Sequence, residues 1–224
     1  ADVSSEAAAA RAARLRDEAG GLLGQRRDRL QALIDDAASP APYQVVGVIS
    51  NRPGVRGLER ATAAGIPVRV IDHQQFDGRE SFDKALAHAI DQLAPQLVVL
   101  AGFMRILTDR FVQHFDGRMI NIHPSLLPAF QGLHTHQRAL DSGVKKHGAS
   151  VHFVTGELDG GPVIAQAEVA VARDDNADTL AARVLAREHQ LLPQVVRWFA
   201  EGKLALQGEQ VLLNGQPLAA PVQL

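Results

Sequence analysis

The chain of 224 residues contains no cysteine. That excludes a disulfide framework, a thiolate metal site and a cysteine nucleophile, and makes a reducing compartment its natural setting. Long apolar runs are missing too. No stretch approaches the roughly 20 residues that a membrane-spanning helix needs, and the opening ADVSSEAAAARAARLRDEAGG lacks the continuous apolar segment of a secretory signal. Neither sign of charge is in excess: 23 basic residues face 25 acidic ones, for a formal net charge of -2. No general field would therefore hold the protein on nucleic acid or on an anionic membrane. His134, His136, His147, His152 and His189 do not fall into a known ligand spacing with one another or with carboxylates, so no metal is expected. With no internal repeat and no long linker, one soluble cytoplasmic domain with a sizeable core is the reading that remains.

From Tyr43 onward short β-branched runs alternate with helical patterns. VVGVIS (45–50), PVRVI (67–71), LVVLA (97–101) and MINIH (119–123) are separated by GLERATAAG (57–65), RESFDKALAHAIDQL (79–93) and TDRFVQHF (108–115). The separators carry apolar residues at three- and four-residue spacing. Runs that are apolar on both faces suit strands covered by helices on both sides, so the pattern predicts an α/β fold with a mostly parallel, doubly wound sheet. Antiparallel strands are expected toward the C-terminus, where ASVHFV (149–154) and PVIAQAEVAV (162–171) flank the turn-like TGELDGG. The stretch 178–202 reads as one long amphipathic helix, opened by Asp178 as N-cap and closed by Gly202. Asn214-Gly215 in VLLNGQPL signals a final tight hairpin. Residues 1–29 stand apart. AAAARAARLRDEA has high helix propensity but little patterned apolar face, so it reads as a surface helix or a frayed tail.

The chemistry concentrates in INIHPSLLP (120–128). Asn121 and His123 lie two apart on a predicted strand, so both side chains point to one side. Pro124 biases His123 toward extended geometry and ends the strand. The pair thus stands near the carboxyl end of a central strand, where open α/β sheets place their ligands. So short a pattern also suits two hydrogen-bonded structural residues, and Asp159-Gly160 alone suits an ordinary turn.

LAGFMRIL, INIHPSLLP, GLHTH and HFVTGELDGGPVIAQ together resemble the folate-dependent formyltransferases, from about Leu30 to the end. The resemblance implies transfer of a formyl group from 10-formyltetrahydrofolate to an amine. Asn121, His123 and Asp159 match the family's catalytic asparagine, histidine and aspartate. Asn121 would hydrogen-bond the developing oxyanion, and His123 would move protons. A carboxylate at Asp159 would raise the His123 pKa. Met104, Arg105, Ile106 and Leu107 match the segment that lines the pterin pocket. Arg79 matches a basic residue on the formyl-folate side, its alternative being a solvated arginine at a helix start, and Glu188 matches a glutamate that contacts the nucleotide substrate. GLHTH after SLLP favours the branch that formylates glycinamide ribonucleotide in purine synthesis. The methionyl-tRNA branch carries a further C-terminal domain, and the formyl-folate hydrolases carry an N-terminal regulatory domain. The partners implied are small molecules, with the protein a monomer or a homodimer.

The likeness stops before residue 30. Where the family has a strand and then a loop of glycine, serine and asparagine that holds phosphate at a helix N-terminus, this chain has Gln25, Arg26, Arg27, Asp28 and Arg29. Residues 1–29 are therefore set apart from a formyltransferase domain over 30–224. Either the segment has diverged, leaving arginines to bind phosphate by charge or a dead site, or it is an out-of-frame translation. Codons for Gly24-Gln25-Arg26 read one base forward can give Gly-(Ser or Asn)-Gly. Two other functions stay open on the sequence: formyl transfer to another amine, such as that of an amino sugar nucleotide, and an impaired folate-binding homologue.

Overall fold

The apolar runs become strands, and the three- and four-spaced stretches between them become helices. The computed structural model describes residues 8–9, 29–101 and 105–224. In chain order the elements are β1 (Ala8–Ala9), α1 (Arg29–Ala38), β2 (Val48–Ser50), α2 (Arg56–Ala63) and β3 (Val68–Val70). Next come α3 (Arg79–Asp91), β4 (Val98–Ala101), α4 (Asp109–His114), β5 (Met119–His123), α5 (Thr135–Ser142), β6 (Lys146–Phe153) and β7 (Val163–Ala170). The chain closes with α6 (Ala177–Ala200), β8 (Leu204–Gln207), β9 (Gln210–Leu213), β10 (Gln216–Pro217) and β11 (Val222–Gln223).

The main sheet has six strands in the order β1-β4-β5-β6-β7-β11. Pairing is parallel between β4 and β5 and antiparallel from β5 to β6 and β6 to β7, so the expected α/β sheet with later antiparallel additions is a mixed one. β2 and β3 form a separate parallel pair, and β8 to β10 a small antiparallel sheet. β1 touches both β2 and β4. It pairs antiparallel with β4 through two residues.

Alternation along the central strands divides the core in two. Val99, Ala101, Ile120 and Ile122 pack on the side of α1 and α6, whereas Val98, Leu100 and Met119 pack on the side of α3 and α4. Asn121 and His123 continue the Met119 face. They replace apolar side chains at the carboxyl end of β5, and no residue of β5 is exposed.

The helix α6 crosses this sheet with Leu180, Val184, Leu191, Leu192, Val195 and Val196 buried along one stripe. Each fully buried side chain of this size contributes about 1.5–3 kcal/mol relative to exposure. Glu188 lies in the same stripe. Asn176, not Asp178, is the N-cap: its side chain accepts from the Thr179 amide at 3.0 Å, and Thr179 Oγ1 accepts from the Asn176 amide at 3.0 Å. Asn176 is extended, so the helix starts at Ala177 and Asp178 falls in the first turn, where its charge suits the helix dipole. At the other end Gly202 follows the C-cap with φ 72°, as the reversal of direction requires.

The sequence pattern predicts PVRVI as a covered strand. β3 instead lies at a rim, with Val68 42% and Val70 39% exposed, because among the described residues it pairs with β2 alone. The final hairpin forms as read, with positive φ at Asn214 (52°) and Gly215 (76°), the signature of a primed two-residue turn. No described helix is long and apolar enough to cross a membrane.

Loss of the α6 cap gives a direct check. Asn176→Ala should lower stability by about 1 kcal/mol, read as a shifted midpoint in chemical denaturation, whereas Asp178→Ala should change it by only a few tenths.

Candidate active site

β5 brings Asn121 and His123 to the same side, and β6 adds the residues opposite them. In the antiparallel register Asn121 faces His152, His123 faces Ser150, and Ser150 faces Gln166 on β7. A row of polar side chains therefore crosses three strands on one face. Ser150 Oγ donates to the Ser125 carbonyl at 2.7 Å and accepts from the Leu127 amide at 3.0 Å. Gln166 Nε2 donates to the Leu127 carbonyl at 2.8 Å. These bonds hold the loop after β5 against the sheet. Held there, the loop presents the Phe130 carbonyl to His123.

Asn121, His123, His152 and Asp159 are 7%, 3%, 2% and 8% exposed. Buried polar groups need partners, and here they use one another. His123 Nε2–H donates to the Phe130 carbonyl at 2.9 Å, which leaves Nδ1 3.4 Å from Asp159 Oδ1. Asp159 is held in turn by the Gly132 amide, which donates to Oδ2 at 2.9 Å, and by Gln131 Nε2, which donates to its carbonyl at 3.2 Å. Asp159 sits at φ 51°, so it is both a turn residue and a partner of His123.

The expected rise in the His123 pKa is corrected by this environment. Burial lowers it, and that outweighs the raising effects of Asp159 and of the bond to Phe130; Arg29 and Arg138 lower it further. Each ring nitrogen thus faces an acceptor, the Phe130 carbonyl at Nε2 and the Asp159 carboxylate at Nδ1. A proton accepted at Nδ1 lands between the ring and Asp159, which stabilises the imidazolium once formed.

His152 is the residue that sequence reasoning missed. Its Nδ1–H donates to the Phe153 carbonyl at 2.9 Å, its Nε2 lies 3.2 Å from Asn121 Nδ2, and the same nitrogen is 4.0 Å from Asp159 Oδ1. The available signal was its place in the hairpin that pairs with MINIH.

A cavity opens at the end of β4 and β5, bordered by Asn121, His152, Asp159, Arg105, Ile106 and Leu107. Leu107 is buried and Ile106 exposed. Arg105 stacks on Phe82 with its guanidinium carbon 5.0 Å from the ring centre, and its Nη1 is buried without a hydrogen-bond partner. Arg79, exposed at the start of α3, donates to the Ile106 carbonyl at 3.4 Å. The buried carboxylate of Asp83 accepts from the Thr108 amide at 2.8 Å and anchors the same segment. Met104 lies outside the described residues.

Glu188 is buried on α6 and outside this cluster. Arg29, the first residue of α1, grips it with Nε and Nη2 at 2.9 Å each. Gln25, Arg26, Arg27 and Asp28 lie outside the described residues. A larger open cleft of about 410 Å³ between α1 and α6 is bordered by Asp36, His189 and Arg197. It shares no residue with the polar cluster, and the Asp36–Arg197 ion pair closes one wall. Among the described residues no group of three or more histidines or carboxylates is placed to hold a metal.

A carboxamide, an imidazole and a carboxylate gathered at a cavity mouth are the parts needed to move an acyl group between nitrogens. The family model described as formyl transferase matches residues 22–196, and the chain belongs to that family. Phosphoribosylglycinamide formyltransferase of Escherichia coli (strain K12) is 50% identical over 198 residues, 88% of this chain and 93% of that protein. The Homo sapiens trifunctional purine biosynthetic protein adenosine-3 is 44% identical over 186 residues, 83% of this chain and 18% of its own length. The solved phosphoribosylglycinamide formyltransferase of Coxiella burnetii superposes with a TM-score of 0.84 at 47% identity, covering 87% of this chain and 92% of that one.

The buried histidines set a pH dependence. Burial lowers the pKa of His123 and His152, and lowers that of His147 from 6.5 to about 4. Below pH 6.5 the unfolded chain binds protons that the folded chain refuses, so stability rises with pH. It is complete above the unfolded value and falls as pH drops through the folded ones. Calorimetric Tm should decline steadily from pH 7 toward pH 4; a flat profile over that range would contradict the assignment.

Proposed function

We propose that the chain transfers the formyl group of 10-formyltetrahydrofolate to the amine of glycinamide ribonucleotide, a step of purine synthesis carried out in the cytoplasm. The observation that carries this reading is the convergence of Asn121 and Asp159 at one cavity mouth, with His123 Nδ1 3.4 Å from that carboxylate, in a chain whose relatives carry the same activity in their names. The formylation of an amino sugar nucleotide has no such support.

The amine attacks the formyl carbon directly, and the carbonyl electron pair moves onto oxygen. Asn121 Nδ2–H donates to that oxygen; one such donor is typically worth about 3 kcal/mol in the transition state. The attacking nitrogen becomes more acidic as its bond forms, and His123 Nδ1 takes its proton. Asp159 holds the imidazolium until the leaving folate nitrogen takes the proton back and the carbon–nitrogen bond breaks. No acyl-enzyme forms. A ring whose pKa is lowered by burial fits this order, because it has to accept a proton before it can donate one.

The folate is assigned to the cavity behind Asn121. Arg79, Arg105, Ile106 and Leu107 line or brace its wall, and Met104 belongs to the same segment. The two guanidinium groups suit the carboxylates of a folate tail. Glu188 is assigned to the nucleotide side, where Arg29 now occupies it. Residues 30–224 are read as the formyltransferase domain.

His123→Ala should reduce kcat for formyl transfer by about a hundredfold or more, with the thermal unfolding profile retained. Near-parental kcat in a folded variant would remove His123 from the mechanism. Transfer by the parent protein to an amino sugar nucleotide but not to glycinamide ribonucleotide would overturn the substrate assignment.

A further inference from the structure

The side-chain amide of Asn121 has two ends, and only one of them can donate to an oxyanion. What decides which end faces the reacting centre is the group across the strand pair. His152 lies opposite Asn121 in the β5–β6 ladder, and its two ring nitrogens have distinct partners. Nδ1 faces the Phe153 carbonyl at 2.9 Å, a group that only accepts, so Nδ1 carries the hydrogen. Gly161 protects that contact: a Cβ there would lie 1.8 Å from the Phe153 oxygen and 3.3 Å from His152 Nδ1. In the neutral ring Nε2 is then bare and can only accept. It sits 3.2 Å from Asn121 Nδ2. Asn121 Oδ1 is buried without a hydrogen-bond partner.

We propose that His152 is a positioning residue for the formyl transfer: as the neutral Nδ1–H tautomer it holds the amide nitrogen of Asn121, and so fixes the end of the carboxamide that meets the formyl oxygen. One Nδ2 hydrogen is used by His152, and the second is left for the substrate. The orphaned Oδ1 is an acceptor for an N–H of the incoming amine. This rests on the function proposed above and adds to it a residue that acts through Asn121.

The groups around the ring keep it in that state. Asn121 and His123 face it from β5, Asp159 from the loop after β6, and Arg105 borders the same cavity from the segment after β4. Burial and His123 oppose its protonation, whereas the Phe153 bond and Asp159 favour it; burial is the largest effect. A charged ring would donate from both nitrogens. Asn121 would then have to turn Oδ1 toward His152, and its donor would leave the position facing the formyl oxygen.

Two measurements test this. Nitrogen-15 histidine spectra of the parent protein at pH 7.5 should show the His152 ring neutral, with Nδ1 protonated and Nε2 bare. A charged ring or an Nε2–H tautomer would overturn the proposal, whatever the substrate proves to be. In kinetics, His152→Gln places a carbonyl oxygen near the Nε2 position and should keep kcat within about threefold. His152→Asn cannot reach Asn121 and should lose about tenfold or more in kcat, with KM for the formyl donor within about twofold. Added to Asn121→Ala, His152→Asn should cost almost nothing further, because the side chain it positions is gone. Equal losses in the Gln and Asn variants, or additive losses with Asn121→Ala, would show a merely structural role. If His152→Asn does not fold, the tautomer and the Gln variant decide. A parent protein that transfers no formyl group would sink the earlier reading, while the ring spectrum would still judge this one.

Discussion

The pairing of β5 with β6 sets two polar side chains of one strand against two of the next, in a place where none of the four can reach water freely. A buried donor or acceptor left without a partner costs about 1–3 kcal/mol, so these groups have to satisfy one another. Asn121 turns to His152, Ser150 and Gln166 turn to the backbone after β5, and His123 takes the Phe130 carbonyl. The loop between β5 and α5 and the loop between β6 and β7 then meet through Asp159 and Gly132. The site is thus a by-product of hydrogen-bond accounting within the sheet, and its geometry is as rigid as the ladder that carries it.

That accounting leaves a small set of unused valences at the cavity. Among them are Asn121 Oδ1 and Arg105 Nη1, both buried without a hydrogen-bond partner. Burial lowers the His123 pKa, and the carboxylate 3.4 Å away offsets part of that cost once the ring is charged. Water would have supplied these bonds on an open surface.

Much of this was legible in the residues. MINIH, read as a strand, occupies Met119–His123 as predicted, and Pro124 ends it. The spacing of Asn121 and His123 fixed a common face, since strand alternation admits no other result. The sign of the His123 shift was not legible, because it depends on how deeply the ring is covered, which local sequence does not state. His152 escaped notice for a related reason: its role comes from the register between two strands, a long-range property. Asp178 has a capping residue type, but Asn176 has the reciprocal Thr179 three residues on. PVRVI looked like a covered strand because it is β-branched, a preference that does not distinguish a central strand from one at a rim.

The position of β3 has its own consequence. A strand that pairs on one side presents a row of unpaired amides and carbonyls to any passing chain, and outward valines make such a row adhesive. Between Val68 and Val70 stands Arg69, whose guanidinium reaches Gln92 beyond α3. A fixed positive charge in the middle of this fringe makes two copies repel where their hydrogen-bonding would otherwise match.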